Sequence, residues 1–169
     1  MNTLRLFAAL DLPAGIRESW KGILDGDALP QGVRWVRPGD LHVTLRFFGE
    51  LGADKEPGVG DLLAKAAARH RPFSISLRGL GAFPPAGKTR VVFLGVEEGR
   101  QALAALAQEI AKSAGLFGWG TPGEFQAHVT LGRVGNADSA RVPDLLRAWA
   151  AGGFGPWKVD AFSLYQSRL

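Results

Sequence analysis

The chain carries one string of four residues, His-Val-Thr-Leu, twice. The copies at His42–Leu45 and His128–Leu131 lie 86 positions apart (128 − 42), about half of the 169 residues. Each copy lies in a segment whose apolar residues alternate with polar ones, a pattern typical of a β-strand. A strand repeated at half the chain length predicts two halves related by a pseudo-two-fold axis, each presenting one His-x-Thr.

The segments around the two copies alternate between strands and helices, and short turns join many neighbouring strands. Predicted strands cover Thr3–Leu10, Val33–Val36, Leu41–Phe48, Phe73–Leu80, Thr89–Val96, Phe125–Val134 and Trp157–Leu164. Predicted helices cover Pro13–Leu24, Asp61–Arg69, Arg100–Ala114 and Val142–Ala150. This order favours an α+β fold of mainly antiparallel sheet flanked by helices over a doubly wound parallel sheet. We expect a single bilobed domain over residues 1–169.

The polar residues of each copy are predicted to share one face of their strand. Because side chains alternate between faces, His42 and Thr44 lie on the same side, about 6 to 7 Å apart. The same spacing pairs His128 with Thr130. The apolar residues between and around them take the other face and are predicted to anchor each strand in the core.

Two imidazoles that face each other can act together as a general acid and a general base near neutral pH. Opening a cyclic phosphodiester needs both at once, because a base deprotonates the attacking water while an acid protonates the departing oxygen. Threonine hydroxyls beside the imidazoles would donate to the non-bridging oxygens, where transition-state charge must be held. Carboxylates do not cluster beside either copy, and the chain has no cysteine, so we expect no metal and no cofactor.

A single His-x-Thr is usually structural, because threonine simply favours strands. The functional interpretation rests on repetition, since the chain has three histidines and two of them fall in the same string. The third, His70, follows Arg69 at the end of a predicted helix. There it is expected to cap the helix end rather than to do chemistry.

The composition suits a globular protein whose partner carries phosphate. Hydrophobic residues make up 46% and charged residues 21% of the chain, and the formal net charge is +4. A mild positive balance is compatible with RNA without requiring it. The apolar run at the start ends at Asp11, too early for a signal peptide or a spanning helix. We therefore expect a cytoplasmic location and no membrane.

Several segments resemble a known family over nearly the whole chain. Arg34–Glu50 (RWVRPGDLHVTLRFFGE) is similar to the first motif region of the 2H phosphoesterase superfamily. It resembles more closely the 2′–5′ RNA ligase group, also called RNA 2′,3′-cyclic phosphodiesterases. Phe125–Arg133 resembles the second motif, although Ala127 stands where the family usually has proline. Leu6–Pro13 and Arg90–Val96 also resemble that group.

The resemblance implies a two-lobed fold with a central cleft that holds both motifs. It implies hydrolysis of RNA 2′,3′-cyclic phosphate ends to 2′-phosphomonoesters without metal or ATP, and in some members reversible 2′–5′ RNA ligation. Carried over residue by residue, His42 donates a proton to the leaving 3′ oxygen and His128 acts as the base on water. Thr44 and Thr130 would hold the phosphate. A tRNA-derived RNA end is suggested by family analogy, and we expect a monomer.

Three further residues are candidates for substrate binding. Arg46 and Phe48 share the face of His42 if the strand stays regular, so Arg46 could hold phosphate and Phe48 could stack on a base. Arg133 matches a basic position of the family, but regular alternation puts it on the face opposite His128. It therefore needs a β-bulge, or a place at the end of the strand, to reach the cleft. The loop at Gly81–Lys88 contains no complete phosphate-cradle pattern, which argues against a nucleoside triphosphate site.

Two alternatives stay open at this point. The chain could be a non-catalytic module that binds RNA ends, which would hydrolyse nothing. It could also be a 2H phosphoesterase for a small nucleotide or a 2′–5′ oligoadenylate, which would favour mononucleotides over oligonucleotides.

Overall fold

The computed structural model describes residues 2–26, 29–85, 88–120, 123–135, 142–149 and 151–167. The strands in this part of the chain are β1 Thr3–Asp11, β2 Val33–Trp35, β3 His42–Gly52, β4 Phe73–Phe83, β5 Val91–Val96, β6 His128–Val134, β7 Gly153–Val159 and β8 Ser163–Gln166. The helices are α1 Ala14–Leu24, α2 Glu56–Arg69, α3 Arg100–Gly115 and α4 Val142–Ala148. Short 3₁₀ turns cover Pro38–Asp40 and Ala53–Lys55.

The strands form a single sheet in the order β7-β4-β5-β6-β3-β1-β8. All strand pairings among the described residues are antiparallel. β2 pairs with β6 beside the point where β3 leaves it. The α+β fold of mainly antiparallel sheet is therefore confirmed.

One pair of residues joins β3 to β6 in the described part of the chain, Val43 opposite Val129. These are the second residues of the two His-Val-Thr-Leu copies. The pseudo-two-fold axis expected from the repeat therefore passes through this pair. On either side of this pair, each of the two strands has its own antiparallel neighbour: β3 pairs with β1, and β6 pairs with β5.

The repetition extends to an irregularity of the backbone. β1 pairs with β3 with a register shift that leaves Leu45 unpaired. β5 pairs with β6 with a shift that leaves Leu131 unpaired. Each residue follows its histidine by three positions, so each half has a β-bulge at the same place. A bulge inserts one residue and resets the alternation beyond it.

The sheet curls, and the short link between its last two strands requires this. β7 and β8 lie at opposite edges of the seven-strand path. A flat sheet would separate them by about 29 Å at 4.8 Å per strand. Residues 160–162 are the only link between Val159 and Ser163, and four residue steps span about 14 Å. The edges must therefore approach each other, which leaves one face of the sheet concave.

The helices pack on one face of the sheet, around a core that includes the apolar residues of both repeated strings. In α3, the buried residues Leu103, Leu106, Ala107, Ile110 and Ala114 recur at helical spacing along one side. Fully burying such an aliphatic side chain contributes about 1.5 to 3 kcal/mol. The opposite face, called the concave face below, carries the polar residues of the two strings.

Several boundaries differ from the prediction. β4 runs on to Phe83, past its predicted end at Leu80 and into the predicted loop at Gly81–Lys88. The strand predicted at Trp157–Leu164 is wrong, because β7 and β8 are separate strands. β3 does not stop at Gly49, which sits in a second bulge with φ of 80°. α2 begins at Glu56, earlier than its predicted start, and β6 begins only at His128. The predicted end of the last helix, Ala150, lies outside the described residues, as do Ala86 and Gly87 of the loop before β5.

Candidate active site

Four polar side chains surround the Val43–Val129 pair on the concave face. The antiparallel register places His42 beside Thr130 and Thr44 beside His128, so the two histidines occupy one diagonal. Strand spacing and rise put their Cα atoms about 8 Å apart. All four side chains are half-buried. The structure thus brings together the residues of both repeated strings, and neither histidine is enclosed among aliphatic neighbours.

Both imidazoles are held in the same orientation. Nδ1 of His42 lies 2.7 Å from the carbonyl oxygen of Asp40. Nδ1 of His128 lies 2.7 Å from the carbonyl oxygen of Gln126. A carbonyl can only accept, so Nδ1 must donate and carry the hydrogen. Nε2 is then the nitrogen that exchanges a proton, as acceptor in the neutral ring and as donor in the charged one.

Aromatic rings surround His128. The rings of Phe83 and Phe93 lie 5.2 and 5.4 Å from its imidazole and stack on each other at 4.2 Å. Gly81 leaves the space that the Phe93 ring fills, since a Cβ there would lie 2.3 Å from that ring.

Burial among these rings lowers the pKa of His128 below its ordinary value. The hydrogen bond to Gln126 opposes this shift, and the nearby charge of His42 adds to it. His128 is consequently neutral at neutral pH, with an Nε2 that can accept a proton.

His42 has a different neighbourhood, made by β1 and β8. The ring of Phe7 lies 5.2 Å from its imidazole and stacks on Tyr165 at 5.3 Å. Asp11 pairs with His42 across the two strands and shares its face. The hydroxyl of Tyr165 donates to the carboxylate of Asp11. Burial and this carboxylate raise the pKa of Tyr165, which therefore stays a neutral donor.

A guanidinium links this neighbourhood to the turn that orients His42. Arg17 of α1 donates from Nη2 to Asp11 at 3.0 Å and from Nη1 to the carbonyl of Gly39 at 2.7 Å. Gly39 immediately precedes Asp40, whose carbonyl accepts from His42. Arg17 therefore holds in place the segment on which the orientation of His42 depends. Sequence reasoning missed it, because a helical arginine carries no local sign of a contact 22 residues away.

The hydroxyl groups of Thr44 and Thr130 are available to a ligand. In the described part of the chain, neither has a hydrogen-bond partner. Thr44 and His128 also line a cavity of about 460 Å³ beside the strand pair, together with Phe47 and Phe125. A hydroxyl without a protein partner on this face can donate to an oxygen that enters the site.

The predicted position of Arg46 is wrong. The bulge at Leu45 places Arg46 opposite Ala8, which is fully buried in the core, so Arg46 does not share the face of His42. Its Nη2 donates to the carbonyl of Trp119 at 3.4 Å. Its Nε is buried without a hydrogen-bond partner among the described residues. Arg46 therefore reaches the cavity only from the helix side.

The predicted role of Phe48 is also wrong, for the same physical reason. With the alternation reset, Phe48 turns into the core and is 2% exposed. Phe47 takes the concave face instead, is 54% exposed and contacts Phe7 with ring centroids 5.6 Å apart. The aromatic residue on this face is therefore Phe47, which the sequence analysis did not select, and not its neighbour Phe48.

The same kind of bulge brings Arg133 to the concave face. Arg133 pairs with Val91 on β5, two residues from Phe93, which pairs with Thr130. Directly paired residues share a face, so Arg133 joins Thr130 and His128 there. The side chain is exposed. The condition stated from the sequence, a β-bulge, is therefore met at Leu131.

The third histidine lies away from this site. His70 is the C-cap residue of α2, as expected. Its Nε2 lies 2.8 Å from Glu109 of α3, and Arg69 pairs with the same carboxylate. Arg69 and then His70 lower the pKa of Glu109. The described residues contain no group of three or more side chains that could hold a metal ion, and no helix among them could span a membrane.

Comparison with known proteins identifies relatives along the whole chain. The family model of the 2′-5′ RNA ligase superfamily matches residues 27–168. An RNA 2′,3′-cyclic phosphodiesterase of Archaeoglobus fulgidus is 38% identical over 98% of this chain and 92% of its own. The protein of that name from Escherichia coli K12 is 32% identical over 98% of this chain and 88% of its own.

Solved structures give the same result for the fold. TT0787 of Thermus thermophilus superposes with a TM-score of 0.80 and 30% identity, over 98% of this chain and 90% of that one. LigT of E. coli in complex with 3′-AMP superposes with a TM-score of 0.77 and 29% identity, over 99% and 90%.

Proposed function

The chain belongs to the 2′-5′ RNA ligase superfamily, and from that premise we propose that it is an RNA 2′,3′-cyclic phosphodiesterase that uses His42 and His128 as its acid and base. The curated relatives that carry this name match nearly the whole chain. The observation that carries the assignment of residues is the matched orientation of the two imidazoles. Each donates from Nδ1 to a carbonyl two positions earlier, which leaves both Nε2 atoms for proton transfer.

The lowered pKa of His128 supports its role as the base. Nε2 of neutral His128 takes a proton from water as the water oxygen bonds to phosphorus. The bond from phosphorus to O3′ breaks, and protonated His42 donates its Nε2 proton to that oxygen. The product is a 2′-phosphomonoester with a free 3′-hydroxyl. Each histidine has then exchanged its protonation state with the other, and proton exchange with solvent restores the start.

The hydroxyls of Thr44 and Thr130 would hold the non-bridging oxygens. Both lie on the concave face with the histidines and have no partner in the described residues. Charge on those oxygens grows as water attacks, so donors already in place favour the transition state over the ground state. The exposed Phe47 is proposed to stack on the terminal base, and the exposed Arg133 to contact a phosphate of the RNA chain.

The test is hydrolysis of a short RNA with a 2′,3′-cyclic phosphate end in the presence of EDTA, with product analysis. We expect turnover and a phosphate retained on the 2′ oxygen. A 3′-phosphate product would contradict the assignment of the leaving oxygen. Stable binding without any hydrolysis over hours at micromolar enzyme would favour a non-catalytic module for RNA ends.

Narrower expectations belong to the same proposal. We propose that the protein acts as a monomer in the cytoplasm, as a single bilobed domain, on RNA ends such as those derived from tRNA. Reversible 2′–5′ ligation would use the same acid and base chemistry, with a ribose hydroxyl of a second RNA in place of water as the group that opens the cyclic phosphate. Relative rates on cyclic mononucleotides, 2′–5′ oligoadenylates and cyclic-ended oligonucleotides would separate the small-nucleotide alternative from RNA hydrolysis.

A further inference from the structure

Two arginines stand directly opposite each other beside the proposed catalytic residues. Arg34 of β2 pairs with Arg133 of β6, so their side chains share a face. That face is the concave one, because Arg133 lies on the side of Thr130. The neighbours of Arg34 confirm the direction, since Val33 and Trp35 pack on the opposite face in a second core cluster.

Gly132 makes this arrangement possible. A Cβ at Gly132 would lie 2.6 Å from Val33 and 2.7 Å from Trp35, so the two apolar side chains occupy that space. With Val33 and Trp35 fixed on the helix side, Arg34 between them has to face the cleft. The position of Arg34 therefore follows from packing as well as from strand pairing.

Among the described residues, no acidic side chain pairs with either guanidinium group. In the described part of the chain, neither has a hydrogen-bond or ion-pair partner, and both side chains are exposed. Like charges directly opposite each other on a sheet are unfavourable. An anion between them would remove this repulsion, and a phosphate oxygen pair matches the donor geometry of a guanidinium.

The pair lies one step along the sheet from the reacting group. Thr130 and Arg133 pair with Phe93 and Val91, which are two residues apart on β5, or about 6.6 Å. Arg34 lies across from Arg133 on the far side of β6 from β5. A phosphate held between the two guanidiniums is therefore distinct from one held over the Val43–Val129 pair.

We propose that Arg34 and Arg133 together bind a phosphodiester of the RNA chain on the 5′ side of the cyclic end. This inference rests on the proposed function and adds to it a site for a second phosphate. It makes the substrate class an oligonucleotide, because a cyclic mononucleotide has no second phosphate to offer. Arg34 discriminates between chain lengths, whereas the histidines and threonines act on substrates of any length.

The test compares a 2′,3′-cyclic mononucleotide with a tetranucleotide that ends in the same cyclic nucleotide. We expect wild-type kcat/KM to be higher for the tetranucleotide. Arg34→Ala should lower that value about 10- to 150-fold while leaving kcat/KM for the mononucleotide unchanged, since bonds to charged groups are worth about 1.5 to 3 kcal/mol. For Arg34→Ala acting on the tetranucleotide, the slope of log(kcat/KM) against log salt concentration should be shallower than in the wild type by about 0.7. Arg34→Lys should keep part of the preference for the tetranucleotide, because lysine keeps the positive charge but lacks the paired N–H donors of the guanidinium.

Lys65→Ala is the matched control. It removes one positive charge from an exposed position on α2, on the helix side of the sheet, and should preserve the tetranucleotide preference. Equal rates on both substrates in the wild type would overturn the inference. An Arg34→Ala variant that loses activity on both substrates alike would also overturn it.

Binding separates this inference from the proposed function. If the wild type hydrolyses neither substrate, the proposed function fails. The affinity for a fluorescent tetranucleotide 2′-phosphate then decides on the arginine pair. Weaker binding by Arg34→Ala than by Lys65→Ala would support the site, and equal binding would refute it.

Discussion

Phe47 and Arg133 occupy equivalent positions in the two halves of the protein. Each follows its histidine by five residues, each follows a β-bulge at the third, and each is exposed on the concave face. One half thus offers an aromatic ring where the other offers a guanidinium. This asymmetry, laid over a symmetric backbone, suits a substrate that has a base at one end and phosphate charge at the other.

The first prediction separates Phe47 from its buried neighbour. Phe47→Ala should raise KM for a cyclic nucleotide by about 5- to 150-fold, because base stacking is worth about 1 to 3 kcal/mol, and should leave the Tm unchanged. Phe48→Ala should instead lower stability by about 3 to 5 kcal/mol through the cavity it leaves. Steady-state kinetics and thermal unfolding of both variants check this. An unchanged KM in Phe47→Ala would refute stacking there.

The second prediction concerns the three histidines. His42→Ala and His128→Ala should each reduce kcat by about 10²- to 10⁴-fold, the usual contribution of an acid or a base. His70→Ala is the matched control, because His70 pairs with Glu109 away from the site and should keep full turnover. Near-normal turnover in either of the first two variants would contradict the two-histidine mechanism.

The third prediction is a direction of pH dependence. Falling pH protonates His128 and removes the base, so kcat/KM must decline on the acid side. Because burial lowers the pKa of His128, this decline should lie below the ordinary histidine range of about 6.5. Phe93→Ala admits water to the imidazole and should raise the pKa of His128, moving the acid limb to higher pH. A pH profile of kcat/KM for the wild type and the variant measures the shift. An acid limb that moves to lower pH in Phe93→Ala would show that burial by this ring does not lower the pKa of His128.

Much of the site could be predicted from the sequence because its signal is local and repeated. The string His-Val-Thr-Leu identifies the strand, the buried partners and the polar pair at once, and a second copy raises it above coincidence. The regular alternation that made this prediction work also made it fail at Phe48. A bulge depends on how the neighbouring strand is registered, so nothing within His42–Phe48 reveals that Leu45 goes unpaired.

Long-range features were beyond a single sequence for the same reason. The segment Trp157–Leu164 was predicted as one strand, yet the chain leaves the sheet between Val159 and Ser163 to reach the opposite edge. Arg34 and Arg17 carry no local signal, because each is defined by a partner on another element, Arg133 of β6 and the carbonyl of Gly39. Assuming that both copies of the string bulge at the same place would have helped, because a bulge three residues after each histidine turns both Phe47 and Arg133 to the face of the histidines.

The last prediction tests the support of His42. Arg17→Met keeps the aliphatic stem and removes the bonds to Asp11 and to the carbonyls of Leu12 and Gly39. We expect kcat to fall about 10- to 100-fold with little change in KM, because small displacements of a catalytic group are costly while the concave face stays intact. Lys21→Met is the control, since Lys21 lies on the same helix and, among the described residues, pairs with the exposed Asp25 alone.

The distinguishing measurement for Arg17 is the tautomer of His42, which ¹⁵N NMR of the imidazole reports. In the wild type the hydrogen should reside on Nδ1, since the Asp40 carbonyl can only accept. In Arg17→Met the segment at Gly39 and Asp40 is no longer held by α1, so a mixture of tautomers should appear. A general loss of stability would lower the Tm and leave this ratio alone. An unchanged ratio together with an unchanged kcat would show that the turn holds its position without Arg17.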